Sequence, residues 1–160
     1  MKIFKLFLTV ILGGSSLVWA QTEVSAKPIT DADIQLLRAD VQAQKNQIIT
    51  DTMQFTVEES SAFWPVYKDY AGEQHTIADK RLALIKDYAQ SYDSLNNATA
   101  TDMVQRLFAV DDATQDLRKK YFARFEKALG AKRAAKFYQV DNRLTLLVNL
   151  QLASEIPLIP

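Results

Sequence analysis

A chain of 160 residues with 19 basic and 19 acidic side chains carries no formal net charge, so nothing in its total draws it to a polyanion. The absence of cysteine excludes a disulfide-stapled domain and a lipid anchor on an N-terminal cysteine. With 48% hydrophobic residues, four glycines and four prolines, the chain is ordered and turn-poor; it has no two-residue glycine hairpin and no sustained period-two run. These features point to an all-α fold.

Met1 to Ala20 reads as a signal peptide. Lys2 and Lys5 supply the positive region, Leu6 to Leu12 the apolar run, and Val18-Trp19-Ala20 the small-residue cleavage site before Gln21. Cleavage after Ala20 and a periplasmic location are therefore expected. Loss of Lys2 and Lys5 would leave the mature chain slightly acidic, and residues 21–29, which include Pro28, read as a flexible leader. Residues 30–160 suit a single helical domain with a real core.

Thr30 with Asp33 forms a capping pattern, and Ile34, Leu37, Val41 and Ile48 mark a narrow apolar stripe on a first helix ending near Met53. Thr56 and Glu59 then form a capping box that predicts a helix starting at Val57 and reaching Tyr92. Its stripe is Phe63, Tyr67, Tyr70, Ile77, Ala78, Ile85, Tyr88, Ala89 and Tyr92. Pro65 lies inside it and predicts a kink or a loosened turn near Ala62. At about 1.5 Å per residue this helix is roughly 50 Å long, which makes the protein elongated. The polar stretch from Asp93 to Thr101 predicts a connection, with Thr99 or Thr101 capping the next helix near Asp102. Met103, Leu107, Val110, Thr114, Leu117, Tyr121, Phe125 and Ala128 step by three and four and predict antiparallel packing against the preceding helix. Gly130 closes that helix. A fourth runs from Ala131 to about Ser154, and from Leu144 onward its leucines cannot share one face, which calls for neighbours, a second subunit or a ligand to bury them. The expected architecture is thus four helices built on a long antiparallel hairpin. The tail Ile156-Pro157-Leu158-Ile159-Pro160 is too apolar for an idle terminus and is expected to fold back on the protein or meet a partner.

Between residues 118 and 143, nine cations (Arg118, Lys119, Lys120, Arg124, Lys127, Lys132, Arg133, Lys136 and Arg143) face only Glu126 and Asp141, with Tyr121, Phe122, Phe125, Phe137 and Tyr138 interleaved. After a signal peptide the anions to expect are acidic proteins, lipid headgroups or envelope polymers, and nucleic acid is not among them. The alternative is a pair of solvated helix faces whose long side chains cover aromatic edges. Trp64, Phe108 and Phe122 stand off the main stripes and are candidates for contact surface beside Arg118, Lys119, Arg124, Lys132, Arg133 and Lys136. His75 is the single histidine, which argues against a metal site and leaves no base to activate a serine; no glycine-rich phosphate loop occurs. No catalytic residues, metal or cofactor are expected, and the chain does not read as an enzyme.

A Leu-Thr-x-x-Gln motif at a helix start marks the Spy and CpxP group of periplasmic helical proteins. The chain resembles that group through Thr56 at the motif's threonine, with Phe55 and Glu59 at its other two positions, and through its leader, lack of cysteine and long hairpin. It also looks like uncharacterised secreted bacterial helical proteins with the same Phe63-Trp64-Pro65 and Ile156-to-Ile159 features. The first resemblance implies a dimeric cradle that holds unfolded or envelope proteins without ATP. The competing reading is a peripheral envelope or membrane-associated structural or regulatory protein using its basic aromatic segment and apolar tail.

Overall fold

The computed structural model describes residues 31–159, and side chains from Arg38 onward. The expected signal peptide, the leader, the Thr30 cap, the side chains of Ile34 and Leu37, and Pro160 lie outside the described residues. The chain is all-α: α1 (Asp31–Met53), α2 (Val57–Ser91), a single 3-10 turn (Tyr92–Ser94), α3 (Asn97–Leu129) and α4 (Ala131–Glu155), with no strand among the described residues.

Local chemistry sets the helix ends. The Thr56 hydroxyl accepts from the Glu59 amide at 3.2 Å while the Thr56 amide donates to the Glu59 carboxylate at 3.0 Å, so α2 starts at Val57 as expected. The helix then runs through Pro65 without a break. Helix α3 starts earlier than expected. Neither Thr99 nor Thr101 caps it; the Asn96 side-chain oxygen does, accepting from the Thr99 amide at 3.0 Å and from its hydroxyl at 3.2 Å. Asparagine ranks above threonine at this position, and the connection shrinks to Leu95 and Asn96 after the 3-10 turn. Gly130, at φ 78°, ends α3 and opens α4, its amide donating to the Glu126 carbonyl at 2.8 Å.

Four ion pairs display the antiparallel register of α2 and α3: Asp69 with Arg124, Glu73 with Lys120, Arg81 with Asp111, and Asp87 with Arg106. Each step along α2 is matched by a step back along α3. Helix α4 returns along α3 through Phe125–Phe137 and Phe122–Tyr138. Helix α1 lies antiparallel to α4, through Thr52–Lys136 and Lys45–Asp141, and to α2, through Gln42–Tyr67 and Arg38–Asp79. The result is an up-down-up-down bundle whose α2–α3 hairpin is its longest part.

The core gathers at the end holding the Gln54 and Gly130 turns. Phe63, Tyr67, Tyr70, Tyr121, Phe125 and Phe137 are all buried there with Ile49, Met53 and Ala134. Phe63 contacts Phe125 at 5.4 Å and Phe137 at 4.9 Å between ring centroids, and those two rings lie 4.5 Å apart, so three helices meet around one side chain. All eight expected inward positions of α3 are buried or half-buried. In α2, Ala78 and Ala89 face solvent and Leu84 is buried where Ile85 is only half-buried.

Helix α1 departs from its expected stripe. Val41 and Ile48 are exposed, whereas Ile49 and Met53 are fully buried. Its inward face is otherwise polar: Gln42 donates to the Tyr67 hydroxyl at 3.0 Å and Lys45 to Gln74 at 3.0 Å. Burying two apolar side chains stabilises the docking of α1 by roughly 3–6 kcal/mol before ordering costs are subtracted. Gln54, the residue just after α1, sits at φ 48°, a left-handed conformation that costs a non-glycine residue about 1–2 kcal/mol.

The leucines of α4 are not buried by neighbours. Leu146, Leu147, Val148, Leu150 and Leu152 are all exposed, and only Leu144 is half-buried against the core. The tail does fold back, through polar contacts: the Tyr88 hydroxyl donates to the Pro157 carbonyl and the Tyr92 hydroxyl to the Leu158 carbonyl, each at 3.0 Å. Leu158 nevertheless remains 88% exposed and Ile159 57%.

The core's centre sets a first expectation. Phe63→Ala should lower unfolding stability by about 3–5 kcal/mol in a denaturant titration, while Phe108→Ala, at an exposed position, should stay within about 0.5 kcal/mol. Equal losses would place the core elsewhere.

Candidate functional site

The basic aromatic segment spans the C-terminal half of α3 and the first half of α4, and most of its charge is matched from within the bundle. Arg124 donates to Asp69 at 2.8 Å and lies over the Tyr121 ring at 4.8 Å. Lys120 bonds both Glu73 oxygens at 2.7 Å, and the Tyr121 hydroxyl donates to the same carboxylate at 2.7 Å. Arg133 grips Glu59 with two donors, at 2.9 and 2.6 Å, and stacks over the Phe55 ring at 5.6 Å. Lys136 donates to the Thr52 carbonyl at 2.7 Å, satisfying one of the orphan acceptors at the end of α1. Arg124, Arg133 and Lys136 therefore hold helices together and are not a free cationic face. Lys119 makes only an exposed contact with Asp116 at 3.4 Å. Lys127, Lys132 and Arg143 are exposed and meet no acidic partner among the described residues.

Arg118 belongs to a centre that the charge count along the chain conceals. Asp141 is 2% exposed, accepts from the Tyr70 hydroxyl at 2.7 Å and lies 3.4 Å from Lys45 Nζ, an ion pair without hydrogen-bond geometry. Arg118, Tyr70 and Asp141 line one cavity of about 10 Å³, the room of one water molecule. Each helix thus contributes one polar side chain to one buried point: Lys45, Tyr70, Arg118 and Asp141. The signal was present in the residues, because Ala134, Phe137, Asp141 and Leu144 share one inward stripe of α4 and a carboxylate on such a stripe needs a buried partner.

The three aromatic candidates separate. Trp64 is half-buried against Phe63 at 5.1 Å and Tyr67 at 5.5 Å, so it seals the closed end of the core. Phe122 is half-buried and meets Tyr138 edge-on at 6.4 Å. Phe108 is 61% exposed, one helical turn from the exposed Val104. The register set by Phe122 and Tyr138 puts Phe108 at the level of Leu152 on α4. The open end of the bundle therefore carries exposed large apolar side chains from both helices among the described residues. A shallower groove of about 480 Å³ between α2 and α3 mixes Ile77 and Leu117 with Glu73, Asp116 and Lys120. His75 sits at the surface, 3.2 Å from Arg38 and 4.0 Å from Asp79. No group of three or more potential metal ligands occurs among the described residues, and no helix there is long and apolar enough to cross a membrane.

Titration of the core follows from its burial. Desolvation pushes the Tyr67 hydroxyl up to about 12, and desolvation with the Glu73 hydrogen bond pushes Tyr121 up to about 12. Tyr70 is raised as well, by burial first and by the Asp141 charge second. On the acid side, the hydrogen bond from Lys120 and then that from Tyr121 hold Glu73 below the usual carboxylate range. The Thr56 amide, followed by Arg133, does the same for Glu59.

The signs give a pH profile. A tyrosine whose folded pKa exceeds its unfolded value near 10 keeps its full contribution below pH 10 and loses it as pH rises toward about 12. Stability should therefore fall steeply above pH 10, and a spectroscopic titration should show Tyr67, Tyr70 and Tyr121 ionising only with unfolding. The lowered carboxylates act oppositely, losing their contribution as pH drops below the ordinary carboxylate range, and the exposed Glu73–Lys120 pair contributes the less for being screened by solvent. Tyr70→Phe, which leaves Asp141 without its donor, should cost about 1.5–3 kcal/mol. Ionisation of Tyr67, Tyr70 and Tyr121 near pH 10 with the fold intact would contradict this core.

Compared with known proteins, the chain matches no family model, no curated sequence and no solved structure.

Proposed function

We propose that this protein is a periplasmic binding protein that holds unfolded or envelope proteins without ATP, secreted with its signal peptide removed after Ala20. The observation that carries the reading is the asymmetry of the bundle. One end is closed over an aromatic core, and the other presents Val104 and Phe108 of α3 together with the apolar half of α4 to solvent. Exposed large apolar side chains on a helical scaffold offer non-directional contact to many sequences at once, which is what a holder of unfolded chains needs. Lys119, Lys127, Lys132 and Arg143 supply cations left over from the internal pairs, in a position to meet acidic segments of a client. No nucleotide-cradling loop, nucleophile–base pair or metal-ligand cluster among the described residues supports an enzymatic alternative.

The reading of the protein as a peripheral envelope or membrane-associated partner draws on the same exposed tail. It is less well supported, because a helix lying on a lipid surface carries cations along its polar face, and Leu144 to Ile159 holds no lysine or arginine.

The purified protein should slow the aggregation of a chemically denatured client in the absence of ATP. Phe108→Ser should weaken that protection severalfold at unchanged helicity, and reversing Lys119, Lys127, Lys132 and Arg143 to Glu should weaken it for acidic clients, more so at low salt. Lack of protection by the wild-type protein, with vesicle flotation in its place, would overturn the reading in favour of membrane association.

A further inference from the structure

We propose that Tyr88 and Tyr92 form a binding site for extended, proline-containing polypeptide segments, and that the C-terminal tail is the internal occupant which such a segment displaces. Naming that segment as part of an unfolded client rests on the proposed function; the site and its exchange do not.

The sequence delivers the tail to this place. The Ile156 amide closes the last helical hydrogen bond of α4, to the Leu152 carbonyl at 3.2 Å, and Pro157, which has no amide proton, cannot make the next. Proline also disfavours the helical conformation in the residue before it, and Ile156 leaves α4 extended, at φ −93° and ψ 117°. The chain then meets Tyr88 of α2 and Tyr92 of the 3-10 turn, four residues apart with their rings edge-on at 5.6 Å. Their hydroxyls donate to the carbonyls of two consecutive residues, Pro157 and Leu158, at 3.0 Å each.

What the pair holds is main chain. Leu158 is 88% exposed and Ile159 57%, so neither side chain sits in a pocket. Two donors that read carbonyls and leave side chains in water accept any extended segment presenting two successive carbonyls. Proline favours such a segment, because its fixed φ lowers the cost of ordering it. Tyrosine suits the task, since its ring is a rigid apolar wall with one polar tip. The ligand class follows from the occupant itself, Ile156 to Pro160, a stretch of three aliphatic residues and two prolines without a charged side chain.

The contact is also exchangeable. Both bonds lie at the surface, where water can replace them, and of the described tail residues only Ile156 is even half-buried. The tail's advantage is position: tethered to α4, it meets the two hydroxyls at an effective concentration on the order of millimolar. A free segment of equal affinity competes only near that concentration. A long unfolded chain that also touches the exposed Val104 and Phe108 gains further apolar contact and competes at much lower concentration. The tail thus screens the site from short, weak ligands and yields to chains that bind at several points.

The chain has no cysteine, so a nitroxide carried by Leu158→Cys in the protein expressed from the full 160-residue chain reports the tail alone. The label should be immobilised, and the free peptide Glu-Ile-Pro-Leu-Ile-Pro, a copy of residues 155–160, should mobilise it with a midpoint in the millimolar range. The peptide Glu-Ile-Pro-Ala-Ala-Pro should do the same within about threefold, because the replaced side chains are not read. Tyr88→Phe with Tyr92→Phe should shift the ratio of held to free tail about tenfold or more toward free without any peptide, at unchanged circular dichroism and melting. A label as mobile in the wild-type background as in the double variant overturns the inference. So does a held tail that neither peptide releases at several times the expected midpoint, and so does release by the first peptide alone. If both peptides release the tail while the protein fails to slow aggregation of a denatured client, the site stands and only the proposed function falls.

Discussion

The bundle depends on a buried charge. Asp141 sits inside an aromatic core, where an uncompensated carboxylate would be costly, and its compensation comes from elements far apart in the chain: the Tyr70 hydroxyl on α2 and the Lys45 ammonium on α1, with Arg118 of α3 lining the same cavity. Apolar packing among Phe63, Phe125 and Phe137 supplies most of the cohesion, but such rings tolerate several relative rotations of the helices. A carboxylate with one donor and one cation within reach tolerates few. The polar point thus selects, among the compact arrangements that the aromatic residues permit, the one in which all four helices bring their polar side chain to the same place.

The charge distribution has the same logic at the surface. The second half of α3 and the first half of α4 look lopsided in the linear sequence, because the acids that answer Lys120, Arg124 and Arg133 lie 47 to 74 positions earlier, on α2. In three dimensions the chain has placed an acidic row against a basic one. Exposed pairs of this kind contribute little each, yet together they penalise a shift of α3 along α2 by a turn, since every partner would be mismatched at once. Lys127, Lys132 and Arg143 lie outside these rows, exposed and without an acidic partner among the described residues.

Much of this fold is legible from local patterns. The α3 stripe from Met103 to Ala128 faces inward throughout, the Thr56–Glu59 box starts α2, and Gly130 turns α3 into α4, because each of these depends on residues within a turn or two. Legibility fails where the deciding partner is distant. The inward face of α1 carries Gln42 and Lys45, which are polar in sequence and acquire their partners only when α2 and α4 arrive, so the eye is drawn instead to the exposed Val41 and Ile48. Asp141 is hidden in the same way among the cations of its segment. Among the residues singled out for contact, Phe108 is at the surface, whereas Trp64, Arg133 and Lys136 serve the closed end; spacing along one helix cannot report what a neighbouring helix covers.

The end of α1 is secured chiefly by α4. The Thr52 carbonyl is held by Lys136, 84 residues downstream, and the Gln54 carbonyl by Arg133 at 3.5 Å, while Lys45 reaches Asp141. The seat of that end is therefore built from the last helix, and does not exist until nearly the whole chain is available. As the chain is made, α1 meets α2 first, through Gln42–Tyr67 and Arg38–Asp79, while the C-terminal end of α1 finds its seat only once α4 is present. Seating that end bridges the largest separation along the chain of any hydrogen bond among the described residues, 84 positions from Thr52 to Lys136, and so carries the highest loop-closure cost of those bonds.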